Sequence, residues 1–218
     1  MSKQLTSLLR ATFTIFILFA GNLVTISPAH AGLYSFTSYT FTPCAATGKT
    51  GPTLAQCQTT YGTSWSSNSS YYTVTSGIQY WTAPATGSYQ ITAAGAVGAG
   101  ANKTAGRGAI IRGTVTLTQG SIYKILVGQP GTNGNAAGVS VSGGGGGGTY
   151  FADNSNTPII VAGGGGGLYT SYLTTPSNSD GQTTTSGTGS TDSYGAAGTN
   201  GGGGGGATSG YGGGGGGM

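Results

Sequence analysis

Hydrophobic and polar residues alternate with a period of two in several short segments, the pattern of β-strands that have one buried face. The clearest segment is 78–82, which is followed by Pro84 and the turn Thr86-Gly87. A second alternating segment covers 89–92, and an aromatic one covers 32–42. Each of these segments predicts a strand.

Two further segments, 110–117 and 122–127, are rich in β-branched residues and are separated by a stretch containing Gln119-Gly120. Their spacing predicts a β-hairpin with a short turn. After residue 31 no stretch shows a helical period of useful length, so no helix is expected. The expected fold class is therefore all-β.

The first 31 residues have the layout of a secretory signal peptide. Lys3 and Arg10 form a basic start, an apolar run covers 11–20, and Ala29-His30-Ala31 is a small-x-small cleavage site. A membrane anchor is the alternative, but the run is shorter than the roughly 20 residues that cross a bilayer. We expect a secreted, extracellular (or periplasmic or cell-surface) protein with no membrane span after the signal is removed.

Charge excludes several classes of function. Without Lys3 and Arg10, the seven Lys and Arg residues fall to five against three Asp, with no Glu and no His once His30 is removed. So few charges cannot neutralise a phosphate backbone, which argues against nucleic-acid binding. A Ser-His-Asp triad is impossible without histidine. We expect neither enzymatic activity nor a cofactor.

Cys44 and Cys57 are the two cysteines of the chain. An even pair in an oxidising compartment predicts one disulfide, and two cysteines without histidine cannot make a four-ligand zinc site. Gly48-Lys49-Thr50 between them resembles the end of a phosphate-binding loop, but Pro43 stands where that motif needs a glycine. A stapled turn is the better interpretation.

Runs of glycine dominate the chain from residue 128 onward, at 143–148, 163–167, 201–206 and 212–217. Flexible linkers are one interpretation, because glycine loses much entropy on ordering. Extended polyglycine helices, packed side by side and hydrogen-bonded to one another, are the other. We favour the ordered bundle because hydrophobic strands alternate with the runs. The structural glycines are then Gly143, Gly144, Gly145, Gly146, Gly147, Gly148, Gly163, Gly164, Gly165, Gly166 and Gly167.

Two polar features could carry binding. Asp153 with Asn154 and Asn156 could hold calcium, but a plain Asx turn is the favoured interpretation. Segment 61–76 is rich in Ser, Asn and Tyr and is predicted to be a surface loop. The candidate binding surface consists of Tyr61, Trp65, Tyr71, Tyr72, Tyr169 and Tyr172. The alternative is that half of these aromatic residues simply cover the glycine bundle.

Segments 41–57, 77–89, 123–129 and 143–162 together resemble the extracellular glycine-rich region of the anaplastic lymphoma kinase and leukocyte tyrosine kinase receptors. This resemblance implies a jelly-roll-like, tumour-necrosis-factor-like antiparallel sandwich with an appended bundle of polyglycine II helices. It also implies a role in binding protein ligands. The sequence has no kinase domain and no cysteine-rich growth-factor-like module, so receptor signalling is not expected to carry over.

The expected organisation is a signal peptide over 1–31, a sandwich with the cysteine loop over 32–127, and a polyglycine part over 128–218. The expected function is a secreted, non-enzymatic module that recognises an extracellular protein ligand. The alternatives are an adhesin that binds surface glycans or cells, and a structural matrix protein.

Overall fold

The computed structural model describes residues 32–100, 105–133, 143–168, 179–187, 196–199 and 203–205. The predicted signal peptide, Tyr169, Tyr172 and the glycine run 212–217 lie outside these residues. The described elements, in chain order, are α1 (Leu54–Tyr61), β1 (Tyr72–Thr75), β2 (Ile78–Thr82), β3 (Gly87–Ala94), β4 (Ile110–Leu117), β5 (Ile122–Leu126), β6 (Thr149–Asp153) and β7 (Pro158–Ala162).

The strands form two antiparallel sheets. The larger sheet has five strands in the order β1-β2-β5-β6-β7, and β3 pairs with β4 in a two-stranded sheet. The predicted all-β class is confirmed in that antiparallel sheets make up most of the described secondary structure. Alternation correctly located β2 and β3, since polar and apolar positions on each strand face opposite sides of a sheet.

The predicted hairpin of β4 and β5 is wrong. β4 pairs with β3, whereas β5 lies between β2 and β6 in the other sheet. The turn between them carries the chain from one sheet to the other, with Gly120 at φ +78° and its N–H bonded to the carbonyl of Ala83 at 3.0 Å. Alternation shows that a strand has a buried face but does not identify the strand that pairs with it.

The core lies between the two sheets. Alternate residues of the five-stranded sheet point inward, and Tyr123 stacks on Phe151 with ring centroids 5.2 Å apart. Gly113, in the middle of β4, faces Ile160 of β7, whose Cδ1 would lie 3.2 Å from an added Cβ. A glycine at this position therefore lets the two sheets approach closely.

Segment 32–42 is not the strand that its alternation predicted. Its aromatic side chains nevertheless join the core: Phe36 packs on Trp81 with centroids 5.2 Å apart, and Tyr39 packs on Trp65 at 4.9 Å. Aromatic packing, rather than a ladder of backbone hydrogen bonds, holds this segment.

Helix α1 was not expected. Thr53 caps its N-terminus in a capping box with Gln56, and Gly62 ends it in the left-handed conformation at φ 58°. The Thr-x-x-Gln pattern and the following glycine were the available signals, but eight residues are too few to show a clear helical period. The helix buries Cys57 and Tyr61 against the core.

Six extended segments outside the strands form what we call the glycine layer: 95–99, 106–109, 128–133, 143–148, 163–168 and 179–181. Hydrogen bonds between them recur at every third residue. Gly95 and Gly98 donate to one neighbouring segment, at 2.9 Å each. Ala96 and Ala99 donate to another, at 2.9 and 2.8 Å. A strand would place such bonds at every second residue on each side.

These segments leave no room for side chains at most glycines. A Cβ at Gly143, Gly146 or Gly164 would overlap a carbonyl oxygen of a neighbouring segment. The runs 143–148 and 163–167 are thus packed and hydrogen-bonded, so a loose linker does not describe them. The run 201–206 is described for 203–205, where Gly205 donates to Ala196 at 3.0 Å.

The sandwich and the glycine layer interleave along the chain instead of meeting at residue 127. Segments 95–99 and 106–109 enter the layer from the connection between β3 and β4, while β6 and β7 complete the five-stranded sheet. Thr149 joins the two parts: its hydroxyl donates to Ala94 at 2.6 Å and accepts from the N–H of Gly128 at 3.0 Å.

Candidate recognition surface

The predicted disulfide is present between Cys44 and Cys57, which are both buried. It ties the turn after segment 32–42 to α1. Cys44 and Ala45 adopt φ values of 51° and 58°, so the chain turns sharply at the staple. The cysteine pair stabilises the aromatic end of the core.

The predicted aromatic binding surface is wrong for three of its members. Tyr61, Trp65 and Tyr72 are 8%, 4% and 1% exposed, and all belong to the core. Tyr71 is half-buried, with its ring 4.8 Å from that of Tyr34. The Ser- and Asn-rich composition of segment 61–76 describes the turns between these aromatics, whose own side chains point inward.

A buried polar network explains why two of these tyrosines are held in the core. Gln79 is fully buried, and its Oε1 accepts from the hydroxyls of Tyr61 at 2.6 Å and Tyr72 at 2.7 Å. Its Nε2 donates to the carbonyl of Thr42 at 2.9 Å. Burial raises the pKa of both tyrosines, which keeps them neutral donors. Sequence reasoning missed this network, because alternation marks Gln79 as an outward polar residue.

Asp153 caps a turn, which is the interpretation favoured over a calcium site. Its Oδ1 accepts from the N–H groups of Ser155 and Thr157, both at 2.8 Å. The backbone hydrogen bond from Thr157 is the main cause that lowers the pKa of this carboxyl. Within the described ranges no three His, Cys, Asp or Glu residues come together as a metal site would require.

Asp180 also has a structural role. Its carboxylate accepts from the backbone N–H of Arg107 at 2.7 Å and from the guanidinium Nη2 at 2.8 Å. These hydrogen bonds lower the pKa of Asp180 and fasten segment 179–181 to segment 106–109. Asp192, the third acid of the chain, lies outside the described residues.

The outer faces of the two sheets differ sharply in composition. The polar outer face, on β3 and β4, consists of Ser88, Gln90, Thr92, Arg112, Thr114 and Thr116, with Ala94 and Ile110 at one end. The apolar outer face, on β2, β5, β6 and β7 of the five-stranded sheet, consists of Ile78, Tyr80, Ile122, Leu126, Tyr150 and Val161 around Lys124. Ile122 and Leu126 are 40% and 37% exposed, which is unusual for large apolar side chains on a sheet that already has a core on its other side.

Lys124 occupies the centre of the apolar outer face. It is the middle residue of β5, the middle strand of its sheet, and it lies opposite Tyr80 of β2. Its Nζ is 5.6 Å from the centroid of the Tyr80 ring and donates to Oδ1 of Asn156 at 2.7 Å. The ion pair found among the described residues joins Arg107 to Asp180, and Lys124 has no carboxylate within ion-pair distance there.

Comparison with known proteins gives a partial likeness to a receptor. No protein-family model matches the chain. Over 97 residues it is 37% identical to the leukocyte tyrosine kinase receptor of Mus musculus, a match that covers 43% of this chain and 11% of the receptor. The likeness indicates a related region within a much longer protein. Among the described residues, no helix combines the length and apolar character needed to cross a membrane.

Proposed function

We propose that this chain is a secreted, non-enzymatic module for recognising extracellular proteins, built as a jelly-roll-like sandwich that carries a bundle of polyglycine II helices. The polyglycine II assignment is supported by the hydrogen-bond step of three in the glycine layer, since that helix has about three residues per turn and no internal hydrogen bonds. The lack of space for Cβ atoms between segments supports close packing of such helices.

An extracellular location is supported by the Cys44–Cys57 disulfide, because such bonds persist in oxidising compartments. The leader-like sequence over 1–31 and the partial likeness to a receptor point the same way. All three are compatible with secretion or with display at the cell surface.

The observation that carries the recognition role is the apolar outer face. Several large apolar side chains lie together on this outer face, and such a grouping is typical of protein interaction surfaces. A catalyst would need convergent titratable groups, whereas the described acidic residues, Asp153 and Asp180, are occupied by backbone and arginine donors.

The experiment exposes the labelled, secreted chain to a glycan array and to a displayed library of folded protein domains. Saturable binding to protein domains with no glycan signal is the expected result. Binding to glycans alone would make the chain an adhesin of the sugar-binding type. Self-assembly into insoluble material without either kind of binding would favour a structural matrix protein.

A further inference from the structure

The apolar outer face carries one charge, and that charge stands at its centre. Around Lys124 lie aliphatic and aromatic side chains from β2, β5, β6 and β7, and at the edge of the sheet β1 adds the outward-facing Thr73 and Thr75. Resting on the recognition role proposed above, we infer that this face docks a different protein whose surface presents a carboxylate surrounded by apolar side chains. The partner's carboxylate would meet the Lys124 ammonium.

The charge at the centre argues against a second copy of this chain as the occupant. Packing two such faces about a two-fold axis would bring two Lys124 side chains into one desolvated contact. No Asp or Glu of the apolar outer face could compensate them. Like charges brought together in an interface disfavour association, whereas an opposite charge favours it.

Asp153 is the described acid that interacts electrostatically with Lys124, but its carboxylate lies beyond ion-pair distance of the ammonium. The charge of Lys124 contributes to the lowered pKa of Asp153, yet Oδ1 of Asp153 already accepts two backbone hydrogen bonds. The neutral amide of Asn156 holds the ammonium instead, at 2.7 Å. The lysine is thus oriented by Asn156 and Tyr80 and forms no ion pair with a described carboxylate, which leaves it able to pair with one from a partner.

The polar outer face supplies an internal contrast. Its cation, Arg112, donates to Thr92 at 3.0 Å and is surrounded by Ser, Thr and Gln side chains. Such a face is well solvated without a partner. A membrane surface is a poorer occupant for the apolar outer face than a protein, because binding to anionic lipids depends on clusters of basic residues and this face has one.

The test pans a displayed library of random linear peptides against the immobilised full chain. Selected peptides are expected to combine Asp or Glu with neighbouring apolar residues. Lys124→Glu should lower their affinity at least about tenfold, while Arg112→Glu on the polar outer face should change it less than about twofold. Lys124→Arg should retain binding. If the Lys124→Glu variant does not fold, Lys124→Gln replaces it as the variant that removes the charge.

Peptides that lack acidic residues, or that bind the Lys124→Glu variant as well as the unaltered chain, would overturn this inference. If substitutions on the polar outer face reduce the binding of those peptides instead, the chain still recognises proteins, but through the polar outer face. Sedimentation completes the test: a dimer of the unaltered chain that Leu126→Asp dissociates, while Thr114→Asp does not, would show a second copy on this face. Failure to select any binder with a folded chain would count against the recognition role itself.

Discussion

Gly165 lies so close to Gly106 that a Cβ on Gly165 would occupy the space of the Gly106 carbonyl oxygen. The N–H of Gly165 donates to the carbonyl of Ala96 at 2.9 Å, and the carbonyl of Gly165 accepts from the N–H of Gly146 at 2.8 Å. One glycine therefore contacts three neighbouring segments of the layer at once. Its missing side chain is what allows their backbones to meet.

Gly165→Ala should lower the free energy of unfolding by about 2 kcal/mol or more, because the added methyl separates backbones and leaves hydrogen bonds unmade. The adjacent Gly166 is a matched control, since its added Cβ would meet Ser179 O at 3.3 Å and no other atom closer than 3.6 Å. Gly166→Ala should cost less than about 1 kcal/mol. Urea unfolding of both variants measures the difference, and equal effects would mean that the layer is looser than described.

Gln79→Leu should destabilise the chain by about 2–4 kcal/mol, because it leaves the buried hydroxyl of Tyr72 without its acceptor. As a donor, the hydroxyl of Tyr61 then keeps only its longer hydrogen bond to the carbonyl of Thr42, at 3.2 Å. Gln90→Leu, on the polar outer face, removes an exposed amide and should change stability by less than about 0.5 kcal/mol. Thermal unfolding followed by near-ultraviolet circular dichroism reports on the aromatic core directly. A Gln79 variant as stable as the Gln90 variant would refute the role of the network.

Removing the disulfide by Cys44→Ser with Cys57→Ser should cost about 3 kcal/mol, the entropy of closing a loop of this size in the unfolded chain. Denaturant unfolding with and without a reducing agent checks the value. The unaltered chain should lose stability on reduction, whereas the double variant should not respond. Two free thiols in secreted material, found by mass spectrometry of non-reduced peptides, would contradict the bond.

Acid should release segment 179–181 before the sandwich unfolds. Because Arg107 lowers the folded-state pKa of Asp180, its stabilising contribution is complete above the unfolded value of 3.8 and is lost as the pH falls through the folded value. The side chain of Asp180 is 35% exposed, so solvent screening limits the contribution to below about 1 kcal/mol. Asp153 has a lowered pKa as well and responds in the same direction.

Amide exchange between about pH 6 and pH 3, corrected for the intrinsic pH dependence, separates the two acids. Protection of the Gly181 amide, which donates to Arg107, should decline with acid in the unaltered chain. In Asp180→Asn it should be low at every pH. An acid response that persists unchanged in Asp180→Asn would assign it to another group.

Local pattern was enough for features that depend on neighbouring residues. Alternation in 78–82 and 89–92 located β2 and β3, and the cysteine pair predicted the disulfide. Helix α1 was missed although its capping residues are present, because a short helix gains its stability from packing rather than from its own sequence.

The candidate site depended on information that no local pattern carries. The aromatic residues around Trp65 were expected outside and lie inside, because segment 32–42 and Gln79 enclose them. Lys124 was part of a predicted strand, but its place at the centre of an apolar face depends on which strands flank β5.

Residue type and spacing were enough to predict that the chain is β-rich, carries a disulfide and has glycine where backbones pack closely. Only the folded chain shows that β4 and β5 belong to different sheets and that Gly165 contacts Gly106, which lies 59 positions earlier in the sequence. The same holds for the contrast between an apolar and a polar outer face. Strand pairing and the packing of glycine segments depend on contacts between distant residues, and alternation is the same whichever partner a strand finds.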